Sequence, residues 1–302
     1  RGLGSGFRAA LPMTLGIALG DLVYLTAAVL GLAYIAQTFG LVFLAFKYAG
    51  AAYLAYLAYK FWTAGVGIEK VEARRAEGAK APPDLLDLLM AGSDPESGRK
   101  MTTAELRDNL LTFIVAGHET TALSLAWSLY LCAFDEGVQE RARAEAKTVL
   151  CGRAATVADL PKLKYVRQVI DEALRLYPPA AFLSRTAKAP DRLLGREVRP
   201  GDTVMLPIYA LHRNRRLWDD PDRFDPDRFA DPKAIDRFAY LPFGDGPRIC
   251  IGASFALQEA VIILATLLSR FRFTRVPGRD PKPVLILTLR PEGGVWLTIE
   301  RA

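Results

Sequence analysis

The first part of the chain has a different pattern of apolar and polar residues from the rest. Residues 9–35 are almost wholly apolar, and a second apolar run covers residues 41–62. Each run is long enough to cross the core of a bilayer, which takes roughly 20 helical residues. Basic residues flank the outer ends of both runs, whereas residues 37–40 between them carry no charge. The pattern predicts a two-helix transmembrane hairpin at residues 9–62 with both ends in the cytoplasm.

Two charged residues lie inside these apolar runs, Asp21 in the first and Lys47 in the second. A charge within a membrane span is costly and is therefore a candidate for function. Asp21 and Lys47 could pair across the hairpin, or Lys47 could extend its amine toward an interface. Gly16 and Gly20 are four residues apart, a spacing that lets a neighbouring helix approach closely.

A charged stretch at residues 66–81 ends before Pro82-Pro83 and is interpreted as a linker between residues 1–65 and a domain at 82–302. The domain has the pattern of a mainly α-helical fold with small β-sheets. Its long central helix is predicted to begin with a Thr102–Glu105 capping box and to end near Phe134. Further helices are predicted at 84–90, 136–150, 161–176 and 254–270, strands at 182–187, 203–208, 271–275, 284–289 and 295–299, and irregular structure at 213–237.

Composition narrows the classes of function. The net charge of +6 comes from scattered Lys and Arg residues, which favours a membrane surface or an acidic redox partner and argues against nucleic acid. Cys132, Cys151 and Cys250 are irregularly spaced, so a disulfide framework or a zinc site is not expected, and the setting is a reducing compartment.

Within the long helix lies the sequence Ala-Gly-His-Glu-Thr-Thr, residues 116–121. Glycine, an acid and two β-branched hydroxyl residues are poor choices for a helix interior, and the hydroxyls can bond back to the i−4 carbonyl and bend the helix. Residues that disfavour a helix but lie inside one often belong to a functional site. The alternative is a solvated polar turn.

Two further candidate sites are a pair of opposite charges on one helix and a cysteine in a glycine-rich loop. Glu172 and Arg175 are three residues apart and share one face of a helix, which also suits a surface ion pair. Cys250 lies in a loop, residues 242–252, that contains three glycines and immediately precedes a helix. The helix dipole and the free amides there would stabilise a thiolate, whereas a structural cysteine in a glycine turn is the alternative.

The loop at Phe243–Gly252 has the pattern Phe-Gly-x-Gly-x-Arg-x-Cys-x-Gly, which resembles the haem-binding loop of the cytochrome P-450 family. The resemblance implies that the Cys250 thiolate is the axial ligand of haem b iron. It also implies that Arg248 binds a haem propionate, and Arg185 lies where the family commonly places a second propionate-binding arginine. Residues implied to contact the haem also include Phe243, Gly244, Gly252 and Ala116.

Two further segments match the same family. Ala-Gly-x-Glu-Thr-Thr resembles its oxygen-activation segment, in which Thr120 would hold dioxygen and its water by hydrogen bonds and Glu119 would help relay protons. His118 is then expected to be a spectator. Glu-x-x-Arg followed by residues 221–229 resembles the segments that supply the family's buried triad, here Glu172, Arg175 and Arg228. That triad is structural rather than catalytic, and His212 is expected to be a packing residue rather than a ligand.

The resemblance implies a haem-thiolate monooxygenase that inserts one oxygen atom of O2 into a small organic substrate. A separate ferredoxin, flavodoxin or reductase would supply the electrons. The part of the family fold that normally precedes residue 82 is missing from the sequence, so one face of the long helix is expected to be uncovered. The alternatives are an inactive fusion of truncated genes and a membrane protein fragment of the amino-acid exporter type.

Residues 6–24 and 48–56 resemble part of a lysine-exporter-type (LysE-type) amino-acid translocator. The Pro-Gly-Pro motif of that family's first helix and its second half are absent, so transport is not predicted. The resemblance and the apolar runs together imply a membrane-anchored protein whose haem domain lies on the cytoplasmic side of a bacterial inner membrane.

Overall fold

The computed structural model of the chain describes residues 68–78 and 82–301, together with Tyr48, Tyr53 and Tyr56. These three tyrosines are helical and exposed. The rest of the predicted transmembrane hairpin lies outside the described residues.

The chain divides into two compact units, residues 1–107 and 108–302. The division falls within one continuous helix, α3 (Thr103–Phe134), so the domain boundary predicted at 66–81 stays a prediction. The capping box at the start of α3 is confirmed, because the amide of Glu105 donates to Thr102 Oγ1 at 3.2 Å and Glu105 Oε2 accepts from the amide of Thr102 at 2.8 Å.

Between residue 68 and α3, the described part of the first unit forms two short helices. Ile68–Glu77 (α1) lies inside the predicted linker, and Leu85–Ala91 (α2) begins two residues after Pro83. Asp84 and Asp87 cap α2 reciprocally, each carboxylate accepting from the other residue's amide. Arg74 donates to both carboxylates, at 2.8 and 2.9 Å, and thereby ties α1 to α2.

In the second unit, three helices pack on one another: α4 (Glu136–Leu150), α5 (Lys164–Leu176) and α7 (Ala253–Arg270). The bounds of α4 agree with the prediction. Gln139 on α4 is buried and bonds to three backbone groups, the carbonyls of Cys132 and Phe273 and the amide of Phe273. The remaining helices are α6 (Ile208–Leu211) and the 3-10 helices Val157–Lys162, Pro226–Phe229, Pro232–Ala234 and Gly246–Arg248.

The predicted start of α5 at Pro161 is wrong. Pro161 lies inside a 3-10 helix, and α5 begins at Lys164. The first amides of a helix need acceptors, and Leu163 at the N-cap position provides no side-chain oxygen. Instead the Glu145 carboxylate on α4 accepts from the amides of Tyr165 and Val166, both at 2.9 Å.

The strands form four antiparallel pairs in the described part of the chain. The expected strands at 182–187 and 203–208 pair with each other in shortened form, and the expected 295–299 strand is shifted toward the C-terminus. The single strand expected at 284–289 is two strands joined by a turn, and a charged hairpin after Pro190 was not predicted. The pairs are β1 (Leu183–Thr186) with β4 (Thr203–Leu206), β2 (Asp191–Leu193) with β3 (Arg196–Val198), β5 (Phe271–Arg275) with β8 (Leu297–Arg301), and β6 (Pro283–Leu285) with β7 (Leu289–Pro291).

Helix α7 is the one helix among the described residues that is long and apolar enough to cross a membrane. Length and composition are weak evidence of a span, because core helices of water-soluble domains also meet them. The apolar residues of α7 have another explanation, since five of them are buried in the core that it shares with α4 and α5. These residues are Ala260, Val261, Leu264, Ala265 and Leu268.

Replacing Leu264 by alanine is expected to lower the free energy of unfolding by about 2–5 kcal/mol, because the side chain has no exposed surface and its loss leaves a cavity. Leu287→Ala is the matched control, since Leu287 is 81% exposed and exposed substitutions change stability by about 0.5 kcal/mol or less. Urea unfolding of both variants in detergent measures the difference. Equal losses would show that α7 does not pack as described.

Candidate functional site

A buried ion pair on α5 organises the segment that follows the strands. Arg175 Nε and Nη2 donate to the two carboxylate oxygens of Glu172 at 2.6 and 2.8 Å, and neither side chain has exposed surface. Burial raises the pKa of the Glu172 carboxyl, and the contact with Arg175 opposes that shift. The two-point geometry is the strong form of a guanidinium–carboxylate contact.

Arg175 and Arg228 together bind the irregular segment at 213–237. Arg175 donates to the carbonyls of His212, Pro221 and Arg223 at 2.8, 2.7 and 3.1 Å. Arg228 Nη2 donates to the carbonyl of Asp220 at 2.8 Å, and its Nε lies 3.5 Å from Glu172 Oε1. The structure therefore brings Glu172, Arg175 and Arg228 together, and their charged groups hold the backbone of a segment with little regular structure.

His212 is fully buried beside this cluster. Its Nδ1 lies 3.1 Å from the carbonyl oxygen of Arg175, and its Nε2 accepts from the amide of Leu241 at 2.9 Å. An amide can only donate, so Nε2 carries no proton and Nδ1–H donates to Arg175. Burial lowers the pKa of His212 to about 4, and the charges of Arg175 and Arg213 act in the same direction.

The cysteine loop, Pro242–Gly252, follows Leu241 directly. Gly244 and Gly246 both have φ of +73°, a left-handed conformation that favours glycine. The amide of Cys250 donates to the carbonyl of Phe243 at 2.9 Å and so closes the loop. The Cys250 thiol is free and exposed at the start of α7. A Cβ on Gly252 would lie 3.9 Å from the Cys250 sulfur, an ordinary contact distance.

The two candidate propionate-binding arginines are both exposed. Arg248 lies in the 3-10 helix of the cysteine loop, and Arg185 lies on β1 with Nη1 donating to the carbonyl of Ser184 at 2.8 Å. The loop and β1 approach each other, because a Cβ on Gly244 would lie 3.2 Å from Leu183 Cδ1. A Cβ at position 244 would therefore require the Leu183 side chain to shift by a few tenths of an ångström.

The segment 116–121 is helical throughout, so the alternative of a polar turn is not what the structure shows. Thr120 Oγ1 donates to the carbonyl of Ala116 at 2.7 Å, the i−4 contact expected for a helical hydroxyl. Glu119 Oε1 accepts from Thr288 Oγ1 at 2.7 Å. His118 is exposed. The Glu119 carboxylate, which is hydrogen-bonded to the Thr288 hydroxyl, and the Thr120 hydroxyl therefore come from adjacent residues of α3.

Sequence reasoning gave His212 and Tyr240 no functional role. Tyr240 is partly buried, and its hydroxyl donates to the carbonyl of Asp171 at 2.9 Å. Tyr240 also contacts the His212 ring, with 5.3 Å between ring centroids. Little in the sequence indicates a role for His212. It is one of two histidines in the chain, and its partners are distant backbone groups.

Comparison with known protein families agrees with both resemblances seen in the sequence. The family model for cytochrome P450 matches residues 64–298, well over half of the chain, and the chain therefore belongs to the cytochrome P450 family. The model for the LysE type translocator matches residues 1–97. The two matches overlap over residues 64–97.

Curated relatives match the chain over most of its length. The cyclooctat-9-en-7-ol 5-monooxygenase of Streptomyces melanosporofaciens is 43% identical over 70% of this chain and 46% of its own length. The carotene epsilon-monooxygenase of Arabidopsis thaliana is 35% identical over 73% of this chain and 41% of its own. Cytochrome P450 4B1 of Rattus norvegicus is 39% identical over 72% and 43%. The chain spans about half the length of these relatives.

The residues described here fit the haem that this family implies. The free Cys250 is exposed in its loop, and exposed apolar side chains flank it in sequence: Ile249, Ile251 and Phe255. An exposed sulfur donor with apolar neighbours suits an iron porphyrin, which has a flat apolar face. Arg248 is an exposed cation in the same loop and suits a carboxylate substituent.

The long helix also has an exposed apolar face, as expected for a chain that spans half of its relatives. Leu111, Ile114 and Val115 are 45%, 65% and 72% exposed. A Cβ added to Gly117 would meet nothing within 4 Å. The stretch of α3 from Leu111 to Gly117 is therefore largely open, whereas Trp127, Leu131 and Cys132 in its later turns are buried.

Arg175→Leu is expected to destabilise the chain by about 3–5 kcal/mol, because it leaves the buried Glu172 carboxylate without its partner and three carbonyls without a donor. Arg141→Leu is the control. Arg141 pairs with Asp227 at 2.7 Å, but both side chains are more than half exposed, so its removal should cost a small fraction of that amount. Comparable urea midpoints for the two variants would contradict this description of the buried pair.

The depressed pKa of His212 predicts a loss of stability on acidification. Between about pH 6.5, the pKa of histidine in an unfolded chain, and about pH 4, the unfolded state binds a proton that the folded state does not. Stability should therefore fall as the pH drops through this window, by about 3 kcal/mol in total.

His212→Gln should remove that part of the pH dependence, and His118→Gln, at the chain's other histidine, should retain it. Urea midpoints measured at several pH values between 4 and 7 give the comparison. The same pH slope in both variants would contradict a neutral, buried His212.

Proposed function

We propose that this chain binds haem b through the thiolate of Cys250 and forms the haem-binding part of a monooxygenase. The observation that carries the proposal is the exposed, free thiol of Cys250 in a glycine-shaped loop at the start of a helix, in a chain of the cytochrome P450 family. The reaction converts RH, O2, two electrons and two protons into ROH and water. Haem supplies the activation of dioxygen when it is bound.

The residues of the loop and of β1 would bind and orient the haem. Cys250 would supply the sulfur ligand of the iron, and the bond from its amide to the Phe243 carbonyl fixes the turn that carries it. Arg248 and Arg185 are exposed cations that would bind the two propionates. Gly244 allows the loop to lie close to β1, and Gly252, Ala116 and Phe243 would contact the haem.

Thr120 and Glu119 would manage protons at the reacting oxygen. The Thr120 hydroxyl donates to Ala116 in this structure, which leaves its lone pairs available to a water molecule. Glu119 is held by the Thr288 hydroxyl and would pass protons from solvent to that water. General acid catalysis of this kind needs a carboxyl group and a hydroxyl in hydrogen-bond reach of the same water.

The triad of Glu172, Arg175 and Arg228 would act indirectly. It would fix the segment that leads into the cysteine loop. Their role is structural, because their charged groups bond to one another and to backbone carbonyls. Loss of one member should therefore reduce folding and haem uptake together.

The complete reaction requires partners. Electrons would come from a ferredoxin, a flavodoxin or a reductase, and the substrate would be a small organic molecule. The exposed apolar face of α3 marks where further protein surface would complete the substrate pocket. Residues 9–62 would anchor the protein in a bacterial inner membrane with the haem-binding domain in the cytoplasm, in keeping with the translocator match at residues 1–97.

The carbon-monoxide difference spectrum of the reduced protein, expressed in membranes with added haem, tests the proposal. The wild-type chain should give the red-shifted Soret band of thiolate-ligated haem, and Cys250→Ala should lose it. Cys151→Ala is the matched control, because Cys151 is also a free, exposed cysteine, and it should keep the band.

Two outcomes would count against the proposal. A wild-type chain that takes up no haem would show that the loop does not bind it in this protein. A thiolate band that survives in Cys250→Ala would assign the ligand to another cysteine.

A further inference from the structure

We infer that His212 is a positioning residue for the cysteine loop: it fixes Leu241, the residue before the loop, against the C-terminal turn of α5. The inference rests on the proposed function for its meaning, since it concerns the placement of Cys250. It assigns a specific task to a buried histidine that neither the triad nor the oxygen-activation segment uses.

Arg175 on α5 is connected to His212 by two hydrogen bonds. Arg175 and His212 bond reciprocally, because Arg175 Nη1 donates to the His212 carbonyl at 2.8 Å and His212 Nδ1–H donates to the Arg175 carbonyl at 3.1 Å. The histidine is therefore fixed to the same residue that pairs with Glu172. One of these bonds holds the backbone of His212, and the other holds its ring.

The second step runs from the imidazole to the loop. His212 Nε2 accepts from the amide of Leu241 at 2.9 Å, and the Leu241 carbonyl accepts from the amide of Gly244 at 3.1 Å. The Phe243 carbonyl then accepts from the amide of Cys250 at 2.9 Å. The position of Cys250 thus depends on a short series of backbone bonds that begins at His212.

A second contact holds the same entry to the loop. Tyr240, directly before Leu241, bonds through its hydroxyl to the carbonyl of Asp171 on α5. Two consecutive residues are therefore tied to α5, one by its side chain and the other by its amide through His212. Tyr240 fixes the distance between α5 and the backbone that enters the loop. His212 fixes the orientation of that backbone, because the Leu241 amide must point toward the imidazole.

The chemistry of the position explains why a histidine occupies it. The site needs a donor toward a carbonyl and an acceptor toward an amide on one rigid side chain, which neutral imidazole provides. Glutamine offers the same pair of groups through its amide. Phenylalanine fills similar space but leaves the Leu241 amide and the Arg175 carbonyl buried without partners, which is costly.

Three variants separate positioning from general stability: His212→Phe, His212→Gln as the conservative rescue, and Gln139→Leu as the control. Gln139 is also a buried polar side chain bonded to three backbone groups, but these belong to Cys132 and Phe273 and not to the loop. The control should therefore lose stability without a specific effect on the loop.

Two measurements are made on each variant. Amide hydrogen exchange of the peptide covering Leu241–Cys250, on the chain without haem, should be about tenfold faster in His212→Phe than in wild type or Gln139→Leu. The carbon-monoxide spectrum with haem should show a larger non-thiolate fraction in His212→Phe alone. His212→Gln should return both readouts close to wild type.

Equal loop exchange in His212→Phe and Gln139→Leu would overturn the inference, as would a failure of His212→Gln to restore the spectrum. Failure of the wild-type chain to take up added haem would overturn the proposed function instead. In that case the exchange comparison still decides whether His212 positions the loop, because it is made without haem.

Discussion

The buried pair of Glu172 and Arg175 is the interaction on which the candidate site depends. A guanidinium with no exposed surface must bond to acceptors at every side, and Arg175 has a carboxylate and three backbone carbonyls. Those carbonyls belong to a segment that forms little regular structure of its own. The charge therefore substitutes for a helix or sheet as the device that fixes this backbone.

The site is built outward from that pair in layers of decreasing burial. Arg175 and His212 are fully buried, Leu241 and Phe243 are partly buried, and the Cys250 thiol is exposed. Rigid, desolvated contacts thus support a sulfur that remains open to a ligand. This division suits a metal ligand, which must be held in place by its surroundings and still be accessible.

The sequence predicted well those features whose causes are local. The Thr102–Glu105 capping box and the ends of α4 depend on neighbouring residues, and both agree with the structure. The start of α5 was missed because its cap, Glu145, lies on the preceding helix. The apolar run at 284–289 predicts one strand, but Ile286 and Leu287 are exposed and lie in the turn between two strands.

The same distinction holds for the candidate site. Glu172 and Arg175 could be paired from their helical spacing, and Cys250 could be selected from its glycine-rich loop. The partners of His212 are backbone groups 37 and 29 residues away, and backbone groups leave no trace in a sequence pattern. The hairpin β2–β3 was missed for a related reason, since its side chains are mostly charged and exposed and show no alternation.

The cap that Glu145 places on α5 has a consequence for the order in which the protein is made. Synthesis proceeds from the N-terminus, so α4 and α5 leave the ribosome well before the cysteine loop. The bonds from Glu145 span 20 and 21 residues, and such short loops are cheap to close. The helix that carries Glu172 and Arg175 can therefore fold first, and the loop with Cys250 would meet its anchoring residues already in place.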